Sequence, residues 1–184
     1  MSLLLKGEGL ALVRGDRLLF EGLDLKLDAG EALHVIGPNG SGKSSLIRLV
    51  AGLLRPNAGK IERADAALAD EGLALDRELP LGRALGLWKG PRLAEAMAAF
   101  ALDGLAHVPV RLLSTGQAKR ARLARALASG APLWLLDEPL NGLDRNGIEE
   151  LDAAVAAHLR SGGAVLAASH ARLAGEWRSL ELGA

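Results

Sequence analysis

The chain has 184 residues, 49% of them hydrophobic and 24% charged, which suits one domain with a sizeable core. Its 22 basic and 22 acidic side chains cancel, so no electrostatic excess points to nucleic acid, and the absence of cysteine excludes disulfides and thiolate metal sites. No apolar run approaches the roughly 20 residues needed to span a bilayer, and Leu3-Leu4-Leu5 reads as too short for a signal-peptide core.

In chain order, the predicted elements begin with strands. Leu10 to Val13 and Arg17 to Phe20 are β-like runs joined by the hairpin pair Gly15-Asp16. Leu23-Asp24-Leu25-Lys26-Leu27 alternates apolar and charged residues, the pattern of a half-exposed strand. Ala32 to Ile36 is a short apolar strand, and Ser45 to Leu53 carries apolar residues at helical spacing. Pro56-Asn57-Ala58-Gly59 reads as a turn. From about Asp70 to Leu112 the chain is broken by Pro80, Gly82, Gly90 and Pro91, with one helical stretch near Arg92 to Leu102, which predicts an inserted helical subdomain.

Gln117 to Leu127 is helical, and its Lys119, Arg120, Arg122 and Arg125 read as a solvated basic face. Leu133 to Leu136 is a continuous apolar run, expected of a strand covered on both sides. Asp144 to Leu159 is an amphipathic helix, and Ala164 to Ala168 a second buried strand. Strands alternating with helices predict an α/β fold with a mainly parallel sheet.

Between the Ala32 strand and the Ser45 helix lies Gly37-Pro38-Asn39-Gly40-Ser41-Gly42-Lys43-Ser44, followed by Ser45. Two glycines flank four residues and Lys-Ser follows at once, the pattern of a nucleotide phosphate-binding loop. Glycines let successive N–H groups point inward, and the helix N-terminus adds its positive dipole end. Lys43 is expected to reach the β- and γ-phosphates, and the Ser44 hydroxyl to ligate Mg²⁺. At the end of the Leu133 strand, Asp137 is placed to hold Mg²⁺ through its waters, and Glu138 to polarise a water for attack on the γ-phosphate.

The segment Leu113-Ser114-Thr115-Gly116-Gln117 resembles the LSGGQ signature of ATP-binding cassette (ABC) ATPases, with Thr115 in place of the first glycine. Phosphate loop, helical insert, signature, Asp-Glu strand, the turn Asn141-Gly142-Leu143-Asp144 and a histidine after the next strand, His170, follow the family's order along nearly the whole chain. The resemblance implies an ABC-type P-loop NTPase fold: a RecA-like, mainly parallel core over about residues 1–70 and 122–184, antiparallel N-terminal strands, and a helical signature subdomain over about 71–121. It also implies ATP hydrolysis with Mg²⁺ by two copies packed head to tail with ATP between them. Each signature would then close, through Ser114, Gly116 and Gln117, over the partner's nucleotide. Asp144 would lie in the loop that communicates across the dimer, and His170 would contact the γ-phosphate. His34, His107 and His158 lack that context and read as structural or surface residues.

Two departures from the family pattern are plain. A glutamine usually opens the helical insert, yet Gln117 is the chain's one glutamine; Glu71 is the nearest substitute as a cation ligand, ahead of Asp70. The aromatic residue that usually stacks on adenine is replaced by Arg14, whose guanidinium can stack on a π face.

Val108 to Ser114 and Ala131 to Pro139 are similar to the ATP-binding subunits of the haem exporters of cytochrome c biogenesis. That likeness implies a peripheral protein on the cytoplasmic face of a bacterial inner membrane, partnered by integral membrane subunits. Two alternatives stay open: the ATPase of another small-molecule or lipid exporter, and a DNA-repair type of head. The second fits poorly with a chain that has no long heptad run, no cysteine and no basic excess.

Overall fold

The computed structural model describes residues 2–70, 75–87 and 90–183. Two sheets divide the strands. β1 (Leu3–Arg14), β2 (Arg17–Asp28) and β4 (Ala58–Arg63) form an antiparallel sheet in the order β2-β1-β4. β3 (Ala32–Ile36), β5 (Ala66–Ala69), β6 (Leu133–Asp137), β7 (Ala164–Ala168) and β8 (Arg178–Glu181) form a parallel sheet in the order β5-β6-β7-β3-β8.

The predicted hairpin is present, with Arg14 paired to Arg17 across Gly15 at φ 60. Its second arm is longer than expected: β2 continues through Leu23 to Leu27 as one strand, and Gly22 at φ 63 lets it bend without breaking. The predicted turn at Pro56 to Gly59 leads directly into β4. There Asn57 ties down β1, its side-chain carbonyl accepting from the Val13 N–H at 2.8 Å and its own N–H donating to Ala11 O at 2.8 Å.

β6 explains how the parallel sheet is buried. Leu133 and Leu135 pack on one side with β1, β3 and α1 (Lys43–Val50). Trp134 and Leu136 pack on the other with α2 (Leu81–Gly86), α3 (Leu93–Ala99), α4 (Thr115–Ala128) and α5 (Arg145–Arg160). Period-two alternation in an all-apolar strand thus feeds two cores. The helix expected at Arg92 to Leu102 is shorter, ending at Ala99. Phe100, fully buried, caps it, and Ala101 at φ 49 turns the chain away.

The basic face of α4 is not solvated as expected. Lys119 and Arg125 are only 4% and 9% exposed, and they donate to the carbonyls of Glu138 and Leu68. Arg120 meets Glu150 of α5 at 3.3 Å. Cations here serve as long donors to backbone at strand ends, because α4 lies across those ends.

Candidate nucleotide site

The phosphate loop lies between β3 and α1, at the C-terminal edge of the parallel sheet. Its backbone requires glycine. Gly37, Gly40 and Gly42 hold φ of 145, 78 and 105, and a Cβ on Gly37 would lie 2.3 Å from Leu182 O. The loop is therefore seated against the segment after β8, which fixes its height above the sheet. Ser41, 4% exposed, packs its side chain behind the loop, against Gly37 and Gly183 beside the segment after β8. A glycine loop at a helix N-terminus, opening onto the cleft with Lys43, fits an anionic ligand.

Lys43 is buried, and its Nζ donates to Gly37 O at 2.7 Å and Pro38 O at 3.1 Å, so the loop's own carbonyls hold the ammonium inside the cradle. Ser44 Oγ donates to Asp137 Oδ1 at 2.8 Å, bringing together residues 93 apart in sequence. Burial is the main cause that pushes the Asp137 carboxyl above its ordinary range. The Ser44 bond and Arg48 oppose that shift, while the charges of Asp70 and Glu138 add to it. Such a carboxylate gains from an approaching cation. A hydroxyl beside a carboxylate suits a hard divalent ion that takes its remaining ligands from phosphate and water. Among the described residues no group of three or more His, Asp or Glu side chains could cage a metal unaided.

Glu138 follows Asp137 in the left-handed region, φ 46, a conformation that a non-glycine residue keeps only where its surroundings impose it. Its N–H donates to Ala168 O at 2.8 Å, and its carbonyl accepts from Lys119. The carboxylate faces His170 twice: Oε1 lies 3.4 Å from Nε2, and Oε2 accepts from the His170 backbone N–H at 3.4 Å. Behind His170, the buried His34 places its Nε2 3.0 Å from Ser169 O.

Arg14, Leu19, Asn39, Gly40, Gly42, Lys43, Ser44, Ser45, Arg48, Glu138 and His170 surround one cleft of about 340 Å³. Arg14 lines this cleft beside the phosphate loop and is exposed. Arg48 and Leu19 had no motif to announce them. Arg48 Nη2 lies 3.7 Å from Asp70 Oδ2, and Asp70 is 5% exposed at the end of β5, whose last residue Ala69 pairs with Leu136. Asp70, ranked behind Glu71 from sequence, thus sits beside the Asp137 strand end; Glu71 itself falls outside the described residues.

The signature lies away from this cleft. Ser114 caps α4 reciprocally with Gln117: Ser114 Oγ accepts from Gln117 N–H at 3.2 Å, and Gln117 Oε1 accepts from Ser114 N–H at 2.9 Å. Ser114 and Thr115 are exposed, and a Cβ on Gly116 would meet Gly142 O at 3.4 Å. Asp144 caps α5 through a 2.8 Å bond from Gly147 N–H.

The chain matches the ABC transporter family over residues 20–141. The cytochrome c biogenesis ATP-binding export protein CcmA of Sphingopyxis alaskensis is 56% identical over 181 residues, spanning 95% of this chain and 93% of its own. The CcmA of Novosphingobium aromaticivorans is 59% identical over 167 residues, with 90% and 87% covered. A solved ATP-binding subunit of an ABC transporter shares 25% identity and superposes with a TM-score of 0.80, over 91% of this chain and 79% of that one. This chain belongs to the ABC transporter family and is its ATP-binding, ATP-hydrolysing cassette.

Proposed function

We propose that the chain is the ATPase of an exporter serving cytochrome c biogenesis, with haem as the cargo of its membrane partners. The relatives that match it over nearly its full length are named ATP-binding export proteins of cytochrome c biogenesis, and the likeness of Val108 to Ser114 and Ala131 to Pro139 to haem-exporter subunits supports haem as the cargo. Among the described residues no helix is long and apolar enough to cross a membrane. The proposed seat, resting on the likeness to haem-exporter subunits, is the cytoplasmic face of the inner membrane, against integral subunits. Nucleic acid has no part in this reading.

One observation carries the catalytic side: the phosphate loop and the Asp-Glu strand end share one cleft, joined by the 2.8 Å bond from Ser44 to Asp137. The ATP triphosphate would lie along the amides of residues 37–45, with Arg14 against the base. Ser44 and Asp137 would hold Mg²⁺, with Glu71 as a further candidate ligand. When bound, the ion would neutralise charge as the phosphoryl group transfers. Glu138 would hold and deprotonate the attacking water, and His170 would keep that carboxylate aimed and meet the γ-phosphate. Lys43 would stabilise charge on the transferring group.

Two copies would pack head to tail, so that Ser114, Gly116 and Gln117 of one close over the nucleotide of the other, with Asp144 at the junction. The helical segment of about residues 71–121 would move against a core of about 1–70 and 122–184. Closure does work because ATP binds the closed pair better than the open one, and hydrolysis removes the bridging phosphate.

Calorimetric titration with Mg-ATP tests the site. The wild type should bind, and Lys43→Ala should weaken binding by about tenfold or more, on the scale of a lost charge-assisted contact. Equal affinities would detach the loop from the nucleotide. Isolation from membranes with the chain as bait tests the cargo: haem-handling integral proteins are expected, and recovery of an unrelated permease would assign the chain to another exporter.

A further inference from the structure

Helix α4 starts at the signature and, one turn later, reaches the catalytic strand. Lys119 lies two residues past Gln117, is 4% exposed, and donates from Nζ to Glu138 O at 2.8 Å. Glu138 is the residue whose backbone sits at φ 46. Its peptide groups are held from three sides: the N–H by Ala168 O of β7, and the carbonyl by Lys119 of α4 at 2.8 Å and by the Asn141 N–H at 3.3 Å. The sheet holds one group; the signature helix, at the shorter distance, and the turn after the strand share the other.

α4 itself is stiffly mounted. Its first turn is locked by the reciprocal Ser114–Gln117 cap, and Arg120 ties it to Glu150 on α5 at 3.3 Å. A small shift of its N-terminus is therefore carried to Lys119 as a rigid body rather than dissipated locally. Without Lys119 the Glu138 carbonyl keeps the longer 3.3 Å bond from Asn141, and a left-handed glutamate loosened in this way relaxes towards ordinary backbone, turning its carboxylate away from His170. Residue 138 thus supplies the two-state element through which a distant contact can act.

We propose that Lys119 is a positioning residue that makes each chain's Glu138 competent only when the same chain's signature is engaged. This inference rests on the head-to-tail reading above. In such a pair Ser114 touches the partner's nucleotide while Glu138 acts on its own chain's nucleotide. Lys119 is then the covalent and hydrogen-bonded link between two composite sites, and it enforces hydrolysis in step.

The test uses full-length chain assembled with its membrane partners. Lys119→Met should lower kcat about tenfold while KM for ATP and ATP-driven pairing stay within about twofold, because the lost interaction acts only on the chemical step. Lys119→Gln, whose amide can still donate to the carbonyl, should recover most of the rate. Mixed pairs then locate the effect. A Lys119→Met chain paired with a Glu138→Gln chain should be slow, since the one working Glu138 has lost its own lysine. A wild-type chain paired with a Lys119→Met, Glu138→Gln double variant should keep the rate of wild type paired with Glu138→Gln. Equal rates for these two pairs, or a normal kcat for a well-folded Lys119→Met protein, would overturn the proposal and leave the head-to-tail reading standing. Failure of the wild type to pair in ATP would overturn both.

Discussion

The two ends of β6 differ in a way that separates catalysis from architecture. At its start, Trp134 stacks on His158 with ring centroids 4.0 Å apart and planes at 9°, and His158 Nε2 sits 3.2 Å from Pro132 O. Gly163 leaves no space there, since a Cβ would lie 2.2 Å from the imidazole. At its finish, the left-handed Glu138 opens onto the cleft and Asp137 accepts from Ser44 of the phosphate loop. Burial acts at both ends. It lowers His158 and raises Asp137, in each case favouring the neutral form. The histidine's partners, a stacked indole and backbone carbonyls, are all supplied by the protein. The carboxylate keeps its bond from Ser44, and its charged form would gain from the proposed cation.

Glu138→Gln should separate the two ends most sharply. Turnover should fall about 100-fold or more, equivalent to roughly 2.7 kcal/mol in the barrier. ATP should remain bound and the pair trapped, because Gln occupies the same volume and leaves the cradle intact. Undiminished ATP hydrolysis would remove Glu138 from the water-activating role.

Asp137→Asn should produce the next effect, with activity and stability moving in opposite directions. Turnover in Mg-ATP should drop by about tenfold or more, since a carboxylate ligand becomes a neutral amide. The nucleotide-free protein should melt higher near neutral pH, by an amount on the order of 1 kcal/mol. The sign follows from the raised carboxyl: in wild type the folded state binds the proton more tightly than the unfolded chain does. Its stability therefore declines as pH rises from the ordinary value of 3.8 through the folded value, a loss that the Asn variant does not share. A lower melting point for Asp137→Asn at pH 7 would contradict this account.

Legibility in the sequence followed the same division. Strand, glycine loop and helix at residues 32–50 are readable because each is local and each obeys a short rule, although α1 ends at Val50, short of the expected Leu53; the Asp-Glu strand end follows from a purely apolar run. β5 is not readable, because Ala66-Ala67-Leu68-Ala69 lacks β-branched residues and becomes a strand only by pairing with β6. β4 hides for a related reason: its first residues, Ala58-Gly59, read as the end of the Pro56 turn until β1 pairs with the strand. Lys119 and Arg125 looked like solvated cations since their acceptors, carbonyls of Glu138 and Leu68, are distant in sequence and carry no side-chain signature. Arg48 and Asp70 come together through the packing of α1 on β6 and β7, beside the end of β5, which no spacing rule encodes.

The smallest effect should come from the far end of β6, and it should depend on pH alone. Burial is the leading cause that keeps the His158 imidazole below its ordinary value of 6.5. The carbonyls of Pro132 and Ala164 oppose the shift, and the charge of Arg92 reinforces it. The unfolded chain thus takes up a proton near pH 6.5 that the folded chain refuses until a lower pH. Stability should fall as pH drops through 6.5, with a slope no steeper than about 1.4 kcal/mol per pH unit, and level off once the folded imidazole protonates. His158→Phe keeps a ring against Trp134 and removes the titration. Subtracting its melting curve between pH 7.5 and 5 from that of wild type cancels Asp137 and every other group both proteins share. A flat difference would mean that protonation at the closed end costs nothing, and burial would then no longer explain why the two ends of β6 behave differently.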